Sequence, residues 1–194
     1  MEKLVVASSN KGKLKEIKEM LGGSYEILSV KDVGFFDEIE ETGSTFEENS
    51  FIKAKAVFDK THIPSLADDS GLMVDALGGA PGIFSARYSP EGNDKANRTK
   101  LLKDLCGVKH RQAKFVSVIT LIDENGDVFV GRGETNGEIT DKEIGENGFG
   151  YDSLFFSYDL QKTFGQATEE EKNEVSHRSR ALADLTKKLW YYKR

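Results

Sequence analysis

A single cysteine, Cys106, stands in 194 residues. No internal disulfide is therefore possible, and a lone thiol near a predicted helix end reads as a small apolar packing group. Three histidines, His62, His110 and His177, lie far apart, and none falls in a zinc-ligand spacing. No apolar run approaches the ~18 residues of a membrane helix, and no secretory leader is legible. The sequence thus predicts a soluble, cytoplasmic chain with no membrane partner. Positive charge is in short supply as well: 27 Lys and Arg stand against 33 Asp and Glu, for a net charge of −6. General nucleic-acid binders neutralise phosphates with a basic surface, so no nucleic-acid partner is expected, while a nucleotide carried with a metal ion remains compatible. Repeats and low-complexity segments are missing too. What remains is 38% hydrophobic and 31% charged, a globular composition in a chain long enough for one large domain or two small lobes sharing a core.

The elements alternate at first. Leu4 to Ala7 reads as a buried strand, and Leu14, Ile17 and Leu21 as one face of a helix. Tyr25 to Val30 reads as a second strand, followed by an acidic loop from Gly34 to Gly43. Thr45, with Glu48 three residues on, predicts a capping box and a helix to about Lys60. On that helix Phe46, Phe51, Ala54, Val57 and Phe58 form the expected apolar stripe. Ile63 to Ala67 predicts a short strand. The following ADDSGLMVDALGGAPG is too rich in Gly and Asp to be regular throughout. A helix from Asp94 to Leu105 comes next. Strands from Phe115 to Ile122 and Val128 to Gly137 flank an Asn-Gly hairpin turn. A glycine-aromatic loop with a strand from Ser153 to Phe156 follows, and a last helix runs from about Ser176 to Trp190. The pattern predicts an α/β fold with a mixed sheet and two lobes, and a cleft between lobes as the place for a site.

Several clusters carry chemistry. The stretch ASSNKGK joins strand to helix. A helix N-terminus suits an anion, Gly12 lets backbone approach a ligand, and Lys11, Lys13 and Asn10 add charge and hydrogen bonding. It is not a Walker A loop: Ala7 stands where the first glycine belongs and Leu14 where the Ser/Thr belongs, which disfavours a kinase. Glu38, Glu40 and Glu41, then Asp68-Asp69, then Asp75, form acidic groups. Two carboxylates about 4 Å apart repel by roughly 4 kcal/mol at an effective dielectric near 20, and magnesium, which favours carboxylates plus substrate phosphates, relieves that. Asn49 and Lys53 fall together at the border of the apolar stripe. ENGFGYD places an aromatic ring between glycines, as a base-stacking loop would. Lys172, His177 and Arg178 gather donors suited to carbonyl oxygens on a base. Each also admits a plain structural reading: a polar helix cap, an Asx turn, a snorkelling lysine, rings that plug the core, or ion pairs with Glu169 to Glu171.

In chain order, ASSNKGKLKE, EETGSTFEENSFIKA, ADDSGLMVDALGGAPGIFSARY, GFGYD and EEKNEVSHRSRAL resemble the inosine/xanthosine triphosphate pyrophosphatase family, from Lys3 to the final helix. Ser8-Ser9 depart from the Thr-Gly common there. The resemblance implies an elongated two-lobed α/β fold, with a mixed twisted β-sheet flanked by helices and a central cleft. Residues 1–194 would form one domain, usually as a homodimer. It implies magnesium-dependent hydrolysis of ITP, dITP and XTP to monophosphate and pyrophosphate, clearing deaminated purines. Ser8, Ser9, Asn10, Lys11, Gly12 and Lys13 match the triphosphate loop. Glu40 or Glu41 and Asp69 match the metal and catalytic acids, with Asp68 a further candidate ligand and Asp69 the base. On the same reading Lys53, a catalytic residue, would offset charge on the phosphates with Lys13, and Asn49 would be a substrate contact on the same helix. Ser70 matches a substrate contact, and Phe149, Gly150, Tyr151, Asp152, Lys172, His177 and Arg178 match the base pocket. Two rivals remain: a pyrophosphatase for pyrimidine or modified nucleotides on a similar scaffold, and a non-catalytic nucleotide sensor.

Overall fold

The computed structural model describes residues 1–192. One mixed sheet of seven strands has the order β2-β1-β3-β4-β5-β6-β7 and is flanked by helices. Its strands are β1 (Glu2–Val6), β2 (Tyr25–Ser29), β3 (Ser65–Val74), β4 (Gln112–Ile122), β5 (Val128–Ile139), β6 (Phe155–Ser157) and β7 (Lys162–Thr163). The helices are α1 (Lys11–Leu21), α2 (Phe46–Thr61), α3 (Asp94–Asp104), α4 (Glu169–Val175) and α5 (His177–Tyr192). β1 lies parallel to both β2 and β3, while β5, β6 and β7 run antiparallel. Among the described residues no helix is long and apolar enough to cross a membrane.

The chain divides into two compact units. The first comprises Met1–Asp69, Ser117–Gly133 and the residues from Arg178 onward; the second comprises Ser70–Val116 and Glu134–His177.

In the first unit, the uninterrupted apolar run of β1 has a direct cause. Leu4 and Val6 pack with Ile17, Ile119, Leu182 and Leu185, whereas Val5 and Ala7 pack with Ala54, Val57 and Ala67. Successive strand residues face opposite sides, and here both sides are covered, as is usual for parallel strands. The second unit has its own core of Leu72, Val74, Leu101, Leu105, Phe115, Leu154, Phe155 and Phe164.

Cys106, expected to pack as a small apolar group, is exposed, and three expectations about the elements need correction. First, β3 runs ten residues, straight through ADDSGLMV. Asp68 and Asp69 are tolerated there because each meets cations, and Gly71 because a Cβ would come within 2.2 Å of the Gly82 carbonyl oxygen. Second, on α2 Phe51 is 38% exposed, while Asn49 and Ser50 are fully buried. Ser50 Oγ lies 2.7 Å from Thr120 Oγ1, so a polar pair fills the face expected to be apolar. Third, α4 is a separate helix before α5. Its capping box, Thr168 with Glu171, lies in Thr168-Glu169-Glu170-Glu171, acids that the sequence suggests only as ion-pair partners.

Candidate active site

In the first unit, the strand end and three helices bring a charged network together. Asn10 caps α1, its Oδ1 accepting the Lys13 N–H at 3.1 Å, while Ser8 Oγ accepts the Asn10 N–H at 3.1 Å. Ser8 and Gly12 are half-buried, and Ser9 and Lys11 are exposed. Lys13 reaches inward, its Nζ 2.8 Å from Asp68 Oδ2. Asp68 is 1% exposed; Ser117 Oγ donates to its Oδ1, and Arg178 Nη2 lies 3.2 Å from its Oδ2. Arg178 is itself buried and pairs with Glu16 of α1. Burial alone would raise the Asp68 pKa, but the Arg178 and Lys13 charges outweigh it and hold the carboxyl well below its ordinary value.

Asp69 meets different surroundings. Its Oδ1 accepts from Lys53 Nζ at 2.9 Å, and the same ammonium lies 3.3 Å from Glu41 Oε1. Asp69 Oδ2 is buried and has no hydrogen-bond partner among the described residues. Burial raises the Asp69 pKa even against the Lys53 charge. Burial would lower Lys53, yet Asp69 and Glu41 raise it on balance, so its ammonium stays charged. Among the described residues no three His, Cys, Asp or Glu side chains form a metal cage. Glu41 and Asp69 are a pair, Asp68 is already held by Ser117, Lys13 and Arg178, and Glu40 is exposed. A carboxylate pair with one orphaned buried oxygen fits a magnesium ion that takes its other ligands from water and phosphate.

In the second unit, Ser70 is half-buried beside Asp69. The loop before β6 is fixed by buried polar contacts. Asp152 Oδ2 accepts the Phe149 N–H at 2.9 Å and lies 2.6 Å from Lys172 Nζ. Gly148 has φ +75°, and a Cβ there would strike Asp152 Oδ2 at 2.1 Å, so only glycine permits this turn. Lys172, on α4, lies 4.7 Å from the centre of the half-buried Phe149 ring. Gly150 donates to Asp94 Oδ2 at 2.9 Å and accepts from Arg98 Nη1 at 2.9 Å. Tyr151 is a core residue whose hydroxyl donates to the Ser85 carbonyl at 2.6 Å. His177 stacks on Phe115, with centroids 4.8 Å apart.

The structure therefore gathers Lys13, Asp68 and Arg178, then Glu41, Lys53 and Asp69, and separately Phe149, Asp152 and Lys172. Arg178, expected in the base pocket, is buried against Glu16 and Asp68. Ser117, Glu16, Asp94 and Arg98 went unread in the sequence; their partners lie 45 or more residues away, beyond any local motif.

The chain matches the model of the Ham1 family over residues 4–188. It is 47% identical over 194 residues to a dITP/XTP pyrophosphatase of Haemophilus influenzae, covering 97% of this chain and 99% of that protein. It is 49% identical over 189 residues to a dITP/XTP pyrophosphatase of Geobacter sulfurreducens, covering 95% of each. The structure of the Staphylococcus aureus Ham1 protein superposes with a TM-score of 0.87 at 39% identity, covering all of both chains.

Proposed function

The chain belongs to the Ham1 family, and from that premise we propose that it hydrolyses non-standard purine nucleoside triphosphates, dITP, ITP and XTP, to the monophosphate and pyrophosphate with magnesium. The observation that carries this reading is Asp69: a buried carboxylate with one oxygen on Lys53, the other unpartnered, and a raised pKa. The Asp69 carboxylate takes a proton from water as the water oxygen bonds to the α-phosphorus; the bond from that phosphorus to the bridging oxygen breaks, and pyrophosphate leaves intact. Lys53 and Lys13 offset the charge that accumulates on the phosphate oxygens, and the N–H groups at the start of α1 face the same anion. Glu41 and Asp69 would hold the magnesium ion, which neutralises phosphate charge when bound.

Base selection rests on Lys172 and the Phe149 loop. Hypoxanthine and xanthine present an oxygen at C6 where adenine presents an amine. A buried ammonium rewards the oxygen and repels the amine's hydrogens, and a site built on such bonds discriminates strongly. Phe149 offers a ring face for stacking.

The test is incubation of the purified protein and magnesium with ITP, XTP, dITP, ATP, GTP and dUTP. Monophosphate and pyrophosphate from the first three are expected, with Asp69→Asn losing on the order of 10²–10⁴-fold in turnover. Orthophosphate as first product, turnover of dUTP alone, or an active Asp69→Asn overturns the reading.

A further inference from the structure

We propose that Asn49 is a positioning residue that clamps the loop carrying Glu41, and so sets the metal affinity of the site. The proposal rests on the magnesium-dependent reading above. Asn49 is completely buried, and its Oδ1 accepts the Gly43 N–H at 2.8 Å. Gly43 follows Glu41 by two residues. Lys53, one helical turn beyond Asn49, holds the Glu41 carboxylate at 3.3 Å. Two successive turns of α2 thus grip one loop, Asn49 by its backbone and Lys53 by its acid.

The approach is close enough to demand glycine. A Cβ on Gly43 would lie 2.7 Å from Asn49 Oδ1 and 2.6 Å from Glu48 Cβ. Glu48 adds a neighbouring tie, its Oε2 accepting from the Ser44 N–H at 2.6 Å and the Ser44 hydroxyl at 2.8 Å. Residues 36–42 themselves lie in neither helix nor strand, so the placement of Glu41 depends on such side-chain ties.

Packing alone does not account for the amide. Asn49 Nδ2 is buried with no hydrogen-bond partner among the described residues, and an unsatisfied buried donor is destabilising. A leucine of similar volume escapes that penalty. What leucine loses is the acceptor for Gly43. Residues that orient metal ligands typically set affinity or activity by about 10–100-fold.

The experiment measures amide hydrogen exchange over residues 36–44 and the magnesium concentration for half-maximal dITP turnover in Asn49→Leu, Gly43→Ala and the double variant. Each single variant is expected to speed loop exchange and raise the magnesium midpoint about 10-fold. The double variant should be no worse than the more affected single one, because both break one contact. Unchanged loop exchange, faster exchange with an unchanged magnesium midpoint, or additive effects overturn the proposal. Gly43→Ala carries the test alone if Asn49→Leu does not fold. A wild-type protein inert toward dITP, ITP and XTP overturns the proposed function and the metal half of this inference, while loop exchange, which needs no turnover, still decides the clamp.

Discussion

Successive residues on a strand point to opposite faces, so Asp68 and Asp69 on β3 meet different groups. Asp68 is closed off by Lys13, Arg178 and Ser117, whereas Asp69 keeps one oxygen without a partner. Read from the sequence with the strand ending at Ala67, the two acids look like a shared metal site; extending the strand through them separates their roles. Arg178 then contributes to stability. The folded pKa of Asp68 lies well below the ordinary 3.8, so its contribution is present above 3.8 and disappears as pH falls through the folded value. Arg178→Ala removes the cation from a buried network and takes a partner from both Glu16 and Asp68. A loss of about 3–5 kcal/mol is expected in urea unfolding near pH 7, with the gap to wild type narrowing as the pH drops below 3.8. A loss under about 1 kcal/mol would mean that the network behaves like a surface ion pair.

At the scale of elements, periodicity and caps located the early strands, α2, α3 and the hairpin, because those signals are local. Thr45 does cap α2 by accepting the Glu48 N–H, although Glu48 reaches back to Ser44 rather than to Thr45. The signals failed where tertiary contacts override composition, and β3 is the clearest case. Its Gly71 and two aspartates argue locally for a loop, yet the glycine is required by what packs on it: a Cβ would also lie 2.6 Å from Ser85 Oγ, the group that accepts the Leu72 N–H at 2.9 Å. Gly71→Ala must shift backbone, and a loss on the order of 1–3 kcal/mol is expected. Gly23→Ala is the control, since a Cβ there meets nothing within 4 Å. Urea midpoints for the two variants check this, and equal midpoints would mean that β3 gives way without penalty. The Glu41–Lys53–Asp69 grouping was half legible, because Lys53 could be placed on its helix face but not matched to acids 12 and 16 residues earlier and later.

At the scale of the molecule, the chain passes between its two units at 69/70, 116/117, 133/134 and 177/178. Neither unit is one continuous segment, so neither core is complete until distant parts of the chain have arrived. The first unit shows the dependence plainly. Leu4, Val6, Ile17 and Leu66 share a cluster with Ile119, Leu121 and Phe129, and with Ala181, Leu182 and Leu185 of α5. A fragment of residues 1–69 keeps the parallel strands and both early helices but leaves one face of its sheet without these partners. It also leaves Asp68 without Arg178 and Ser117, two of the groups that compensate its burial. Apolar burial is the main favourable term, and it is offset almost fully by chain entropy, so losing half of a shared core is decisive. The fragment is expected to be unfolded by circular dichroism, while the full chain unfolds with side-chain and backbone probes changing together. A fragment with native-like helix content and a cooperative melt would instead make the first 69 residues an autonomous unit, and the late arrival of α5 an addition to a core that already stands.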